Sequence, residues 1–76
     1  MPPKLIRVSA TEAIRALERL GFVQIRQRGS HIILKKQTSA GEVGCVVPLH
    51  HQLAIGTLRS ILRQAGITPE EFMEHL

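Results

Sequence analysis

Up to Gly21 the apolar residues of this chain recur at helical spacing, and from Phe22 onward they alternate. A helix must therefore hand over to a sheet at that glycine. Ala10, Ala13, Ile14, Leu17 and Leu20 line one helical face, while Arg15, Glu18 and Arg19 lie on the other. Ser9-Ala10-Thr11-Glu12 is a capping box, which sets the helix start at Ala10, and Gly21 suits its stop. Pro2 and Pro3 favour an extended segment before it.

Beyond Gly21, Val23 and Ile25 alternate with Gln24, Arg26 and Arg28 along a strand ending at Gly29-Ser30, a pair suited to a two-residue hairpin turn. The returning strand is expected over His31 to Lys36. This register sets Arg28 opposite His31, Arg26 opposite Ile33 and Ile25 opposite Leu34, with apolar partners on one face and basic ones on the other. Residues 37–41 read as a polar loop, and Val43, Cys45 and Val47 as a third strand closed by Pro48. After a connection over 49–54, Leu58, Ile61, Leu62 and Ala65 mark a second amphipathic helix ending at Gly66. Thr68-Pro69-Glu70-Glu71 opens a short acidic helix. The order is α-β-β-β-α with a terminal helical turn, an α+β fold in one domain over 1–76. Both helices should cover one face of a three-stranded antiparallel sheet, as in double-stranded-RNA-binding domains.

The 76 residues allow only a thin core, since a chain of this size hides about 60% of its unfolded surface. Cys45 is the sole cysteine, which excludes an internal disulfide or a cysteine zinc cluster, and no signal-peptide pattern is present. No apolar run approaches the roughly 20 residues that span a bilayer, so a cytoplasmic protein without a membrane role is expected. Residues 1–69 carry ten basic and three acidic side chains, hence +7, while Glu70, Glu71 and Glu74 crowd the end. Such a field attracts polyanions, RNA or DNA first among them, although charge also serves solubility. With no Tyr or Trp, and with Phe22 and Phe72 in apolar contexts, base-stacking platforms are missing. Phosphates, sugars and shape must carry recognition.

Three segments together resemble the HicA family of bacterial toxins, mRNA interferases paired with HicB antitoxins: Gly29-Ser30-His31, Val47-Pro48-Leu49-His50, and the run from Gly56 to Gly66. The likeness covers residues 8–74. It implies a double-stranded-RNA-binding-like fold, endonucleolytic cleavage of RNA, and an antitoxin that covers the active surface. It also implies that His31 is the catalytic position, beside Gly29 and Ser30. After His50 the chain departs from the family's proline, glycine and lysine and reads His51-Gln52-Leu53-Ala54-Ile55, so the family's loop lysine has no counterpart.

The residues themselves bear on mechanism. A histidine opening a strand commonly has a structural role, but imidazole is suited to proton transfer near neutral pH, and a tight turn fixes its direction. The chain has no Asp, and of its Glu residues only Glu42 lies near the expected sheet, so the carboxylates of a two-metal nuclease are lacking. No cofactor and no metal site are expected. Cleavage can instead use the RNA 2′-hydroxyl, with His31 as base or acid and Arg28 stabilising charge on phosphorus. His50 is the candidate for a second proton-transfer group. Arg26, Arg28, Lys35 and Lys36 border the expected open face, and Arg59 and Arg63 form an i, i+4 stripe on the second helix. Both sets are candidate phosphate contacts. Ser30 and Gly29 position the turn, and Cys45 is a buried small residue. The competing class is a non-catalytic RNA-binding module of the same fold; a DNA-binding reading lacks a recognition helix in a helix-turn-helix setting.

Overall fold

A computed structural model describes residues 5–76, so the extended start expected at Pro2 and Pro3 lies outside the described residues. Six elements follow in order: α1 (Ala10–Arg19), β1 (Val23–Arg28), β2 (His31–Thr38), β3 (Gly41–Pro48), α2 (Ile55–Ala65) and α3 (Pro69–Glu74). The strands form one antiparallel sheet in the order β1-β2-β3. The fold is thus the expected α+β, double-stranded-RNA-binding-domain-like arrangement.

Local chemistry explains each boundary. Ser9 and Glu12 satisfy each other's backbone amides at the start of α1, and Thr68 and Glu71 do the same at α3, where Pro69 occupies the first turn. Gly66 closes α2 with φ +70°, a conformation that L side chains rarely adopt. The polar loop expected over 37–41 is shorter: Gln37 pairs with Glu42 and Thr38 with Gly41, leaving Ser39-Ala40 as the turn. The Thr38 hydroxyl donates to the Gly41 carbonyl at 2.6 Å and accepts from the Ala40 amide at 3.2 Å. Apolar alternation had ended before this stretch, so periodicity held no trace of the continuing ladder.

The core lies between the helices and one sheet face. It joins Ala13, Ala16 and Leu17 of α1 and Leu58, Ile61 and Leu62 of α2 to Ile32, Leu34, Cys45 and Val47 of β2 and β3. Phe72 of α3 is fully buried, and the Arg19 guanidinium donates to the His75 carbonyl at 2.8 Å, tying α1 to the chain end. Leu53, from the segment read as a connection, is also fully buried, and its amide donates to the Val8 carbonyl at 2.8 Å.

One expectation is overturned. Val23 and Ile25 were expected on the apolar face with Leu34, yet they are 60% and 51% exposed. The ladder runs Arg28↔His31, Gln27↔Ile32 and Arg26↔Ile33 as expected, then shifts at a bulge so that Gln24, not Ile25, stands opposite Leu34. The extra residue turns the apolar side chains away from the core. All of β1 is exposed, beyond the helical layer.

Truncating Phe72 to Ala should cost about 3–5 kcal/mol, a large share of the total stability of a small fold, and denaturant titration will read it. Burial pushes the Cys45 thiol up to about 11, so it should resist thiol reagents at neutral pH until the protein unfolds. Hydrogen bonds from the Ser9 amide and hydroxyl hold the Glu12 carboxyl below its usual range. That contribution is present above the unfolded carboxylate pKa and is lost as pH falls through the lower folded value. Glu12→Gln should accordingly flatten the acid limb of a stability-against-pH curve.

Candidate functional site

The Gly29-Ser30 turn anchors the site. Gly29 has φ +58° and, among the described residues, no non-glycine residue has positive φ, the pattern of a hairpin turn that demands glycine at its first central position only. Added methyl bulk at Gly29 would meet nothing, so the requirement is torsional. The Gln27 amide group donates to the Gly29 carbonyl at 2.9 Å. The Leu49 amide donates to the Ser30 carbonyl at 2.7 Å, and the Ala10 amide donates to the His50 carbonyl at 3.0 Å. Backbone bonds thereby link the turn, the exit of β3 and the start of α1.

His31 opens β2 directly between Arg28 on β1 and Pro48 on β3, and it is exposed. The next row on that face is Arg26, Ile33 and Val46, followed by Val23, Lys35 and Gly44. Strand alternation turns these rows away from the buried Ile32, Leu34, Cys45 and Val47. The open face therefore gathers His31, Arg26, Arg28 and Lys35. Lys35 pairs with Glu42 at 3.1 Å, and Glu42 also accepts from Gln37 at 3.0 Å. Among the described residues this is the one ion pair, so Arg26 and Arg28 have no carboxylate partner.

Other expected residues lie elsewhere. Lys36 does not join the open face: it pairs with Val43, and its ammonium stands 5.9 Å from the centre of the Phe22 ring, beside Gly21 at the end of α1. Alternation starts it on the opposite face from Lys35, and its long side chain reaches the edge of the groove that Lys35 lines. His50 is exposed and lines a depression with Ser9, Thr11, Leu49 and His51 that does not include His31. Arg59 and Arg63 are exposed on α2, apart from the His31 row. Among the described residues, no three His, Cys, Asp or Glu side chains gather as a metal site would need.

Periodicity missed an apolar component of this face. Ile33 and Val46 face each other, Val46 is 38% exposed, and Val23 and Ile25 share a groove with Lys35, Lys36 and Glu42. The unbroken run Cys45-Val46-Val47-Pro48 carried the signal, because such a run must place apolar residues on both faces of a strand. Chemically, an exposed imidazole across the ladder from an uncompensated guanidinium can meet a phosphate and move a proton beside it. No described helix is long and apolar enough to cross a membrane.

No curated protein matches the chain. A family model described as the HicA toxin of bacterial toxin-antitoxin matches residues 10–67, from the first residue of α1 to just beyond α2 and including the whole sheet. With well over half its length matched, the chain belongs to the HicA toxin family, whose members act in toxin-antitoxin systems.

Proposed function

We propose that this toxin is an endoribonuclease that cleaves mRNA without a metal ion, with His31 as its catalytic residue. The observation that carries the reading is the placement of exposed His31 opposite Arg28, on an open face whose two arginines lack carboxylate partners. Family membership supports it. In this mechanism the RNA 2′-oxygen attacks the adjacent phosphorus as its proton passes to a base. The bond from phosphorus to the 5′-oxygen then breaks, and that oxygen takes a proton, leaving a 2′,3′-cyclic phosphate and a free 5′-hydroxyl. His31 serves one of these transfers, and Arg28 stabilises the charge that develops on the phosphorane. His50, on the segment bonded to Ser30, is the candidate for the other transfer.

Arg26 and Lys35 hold neighbouring phosphates. Lys35 must exchange Glu42 for RNA, a small cost because exposed ion pairs contribute about 0–1 kcal/mol. The antitoxin silences the toxin by covering His31, Arg26, Arg28 and Lys35 with an acidic surface, which also speeds encounter at low salt. Arg59 and Arg63 are held in reserve as phosphate contacts outside this face.

Purified protein should cut RNA in EDTA and leave DNA intact. His31→Ala should bind RNA with near-normal affinity yet cleave it about 10²–10⁴-fold more slowly. Arg28→Ala should weaken both cleavage and binding and reduce the salt dependence of binding by roughly one phosphate contact. Undiminished cleavage by His31→Ala removes His31 from the mechanism. Binding without cleavage by the unmodified protein establishes the non-catalytic RNA-binding reading instead.

A further inference from the structure

The two sheet edges differ. Along β3, α2 packs close by, and the Gln64 side-chain carbonyl accepts the Val46 amide at 3.2 Å. Along β1 every residue is exposed, and its one side-chain hydrogen bond to a helix among the described residues runs from the Gln24 amide group to the Glu18 carboxylate at 3.4 Å. The two-residue turn makes Arg28 and His31 a hydrogen-bonded pair, so alternation directs the Gln27 N–H and C=O away from β2, toward the open edge. Val23 and Ile25 add exposed branched side chains to the same strand. Exposed edges are usually short, charged or covered because they recruit other strands. Here charge and apolar surface stand together.

We propose that the free edge of β1 is a docking site for an extended segment of the antitoxin, one that sets carboxylates beside Arg26 and Arg28 and branched apolar side chains beside Val23 and Ile25, and adds to the sheet as a fourth strand. Charge selects this occupant over a second copy of the chain. Two β1 strands side by side would bring Arg26 and Arg28 of each against those of the other, and like charges across a ladder are destabilising. Carboxylates find both guanidiniums unpaired, while apolar side chains meet Val23 and Ile25. Main-chain bonds supply affinity and alternate side chains supply specificity in such strand addition. A strand seated there lies beside Arg28, directly across from His31, so the rest of the antitoxin is delivered over the open face. The inference rests on the toxin reading for the identity of the partner.

The test uses the full chain and a labelled extended peptide that carries Glu at two alternate positions and then Val and Ile along the same face, followed by fluorescence anisotropy and amide hydrogen exchange. Binding should weaken as salt rises, slow exchange at the Gln27 amide, and fall roughly tenfold or more in the Val23→Ser, Ile25→Ser double variant. A peptide N-methylated at alternate amides, with unchanged side chains, should fail to bind. Equal binding of the methylated peptide, or an unprotected Gln27 amide, would show an acidic peptide lying on the basic face and overturn the proposal. No binding at all overturns it as well. So does self-association of the chain that Ile25→Lys abolishes, because a second copy would then be the occupant. His31→Ala should bind the peptide as the unmodified chain does. Failure of the ribonuclease reading thus appears as absent RNA cleavage, and failure of the docking reading as absent strand binding.

Discussion

The central strand is paired on both sides and buried on one face, and this one-sided burial organises everything else. Ile32 and Leu34 point into the core beneath α1 and α2, so His31, Ile33 and Lys35 must point out. Two short amphipathic helices provide enough apolar surface to cover one face of β2 and β3 and no more. A larger protein would place a second layer over the other face. This one leaves it open, with β1 extending past the helices.

That limitation places the candidate surface. Because both neighbours of His31 are fixed by backbone ladders, the imidazole stands at a defined point between a guanidinium and a proline ring. The bonds from Leu49 to Ser30 and from Ala10 to His50 connect this point to the core-packed helix α1. Precise placement is what proton transfer requires, since geometry comes before pKa in deciding whether a group can act. The turn is consequently held by the ladder and by these bonds although Arg28, Gly29, Ser30 and His31 are all exposed.

The open face is also chemically mixed. Cations alone would make a general polyanion surface; Ile33, Val46, Val23 and Ile25 interrupt them with branched apolar groups. Under the proposed function, RNA would use chiefly the charge and an inhibiting protein both kinds of group, so one face would serve substrate and inhibitor through overlapping but unequal contacts. The Lys35–Glu42 pair lies where these uses meet.

Local signals determined much of this in advance: both capping boxes, the glycine stops, the two-residue turn and the pairing of Arg28 with His31 follow from interactions within a few residues, and all are present. The four buried positions of α2 were legible for the same reason, since helical periodicity is set by the chain's own geometry. Tertiary structure alone decided the rest. The bulge that exposes Ile25 belongs to the pairing of β1 with β2, and a shift of one residue reverses which face every side chain takes. The burial of Leu53 depends on Val8, a residue distant in sequence. Lys35 and Lys36 are indistinguishable by composition, yet alternation across β2 sends one to the open face and folds the other over Phe22. The types of residue at the site could be read directly from the chain; their grouping depended on which face of the sheet the helices covered.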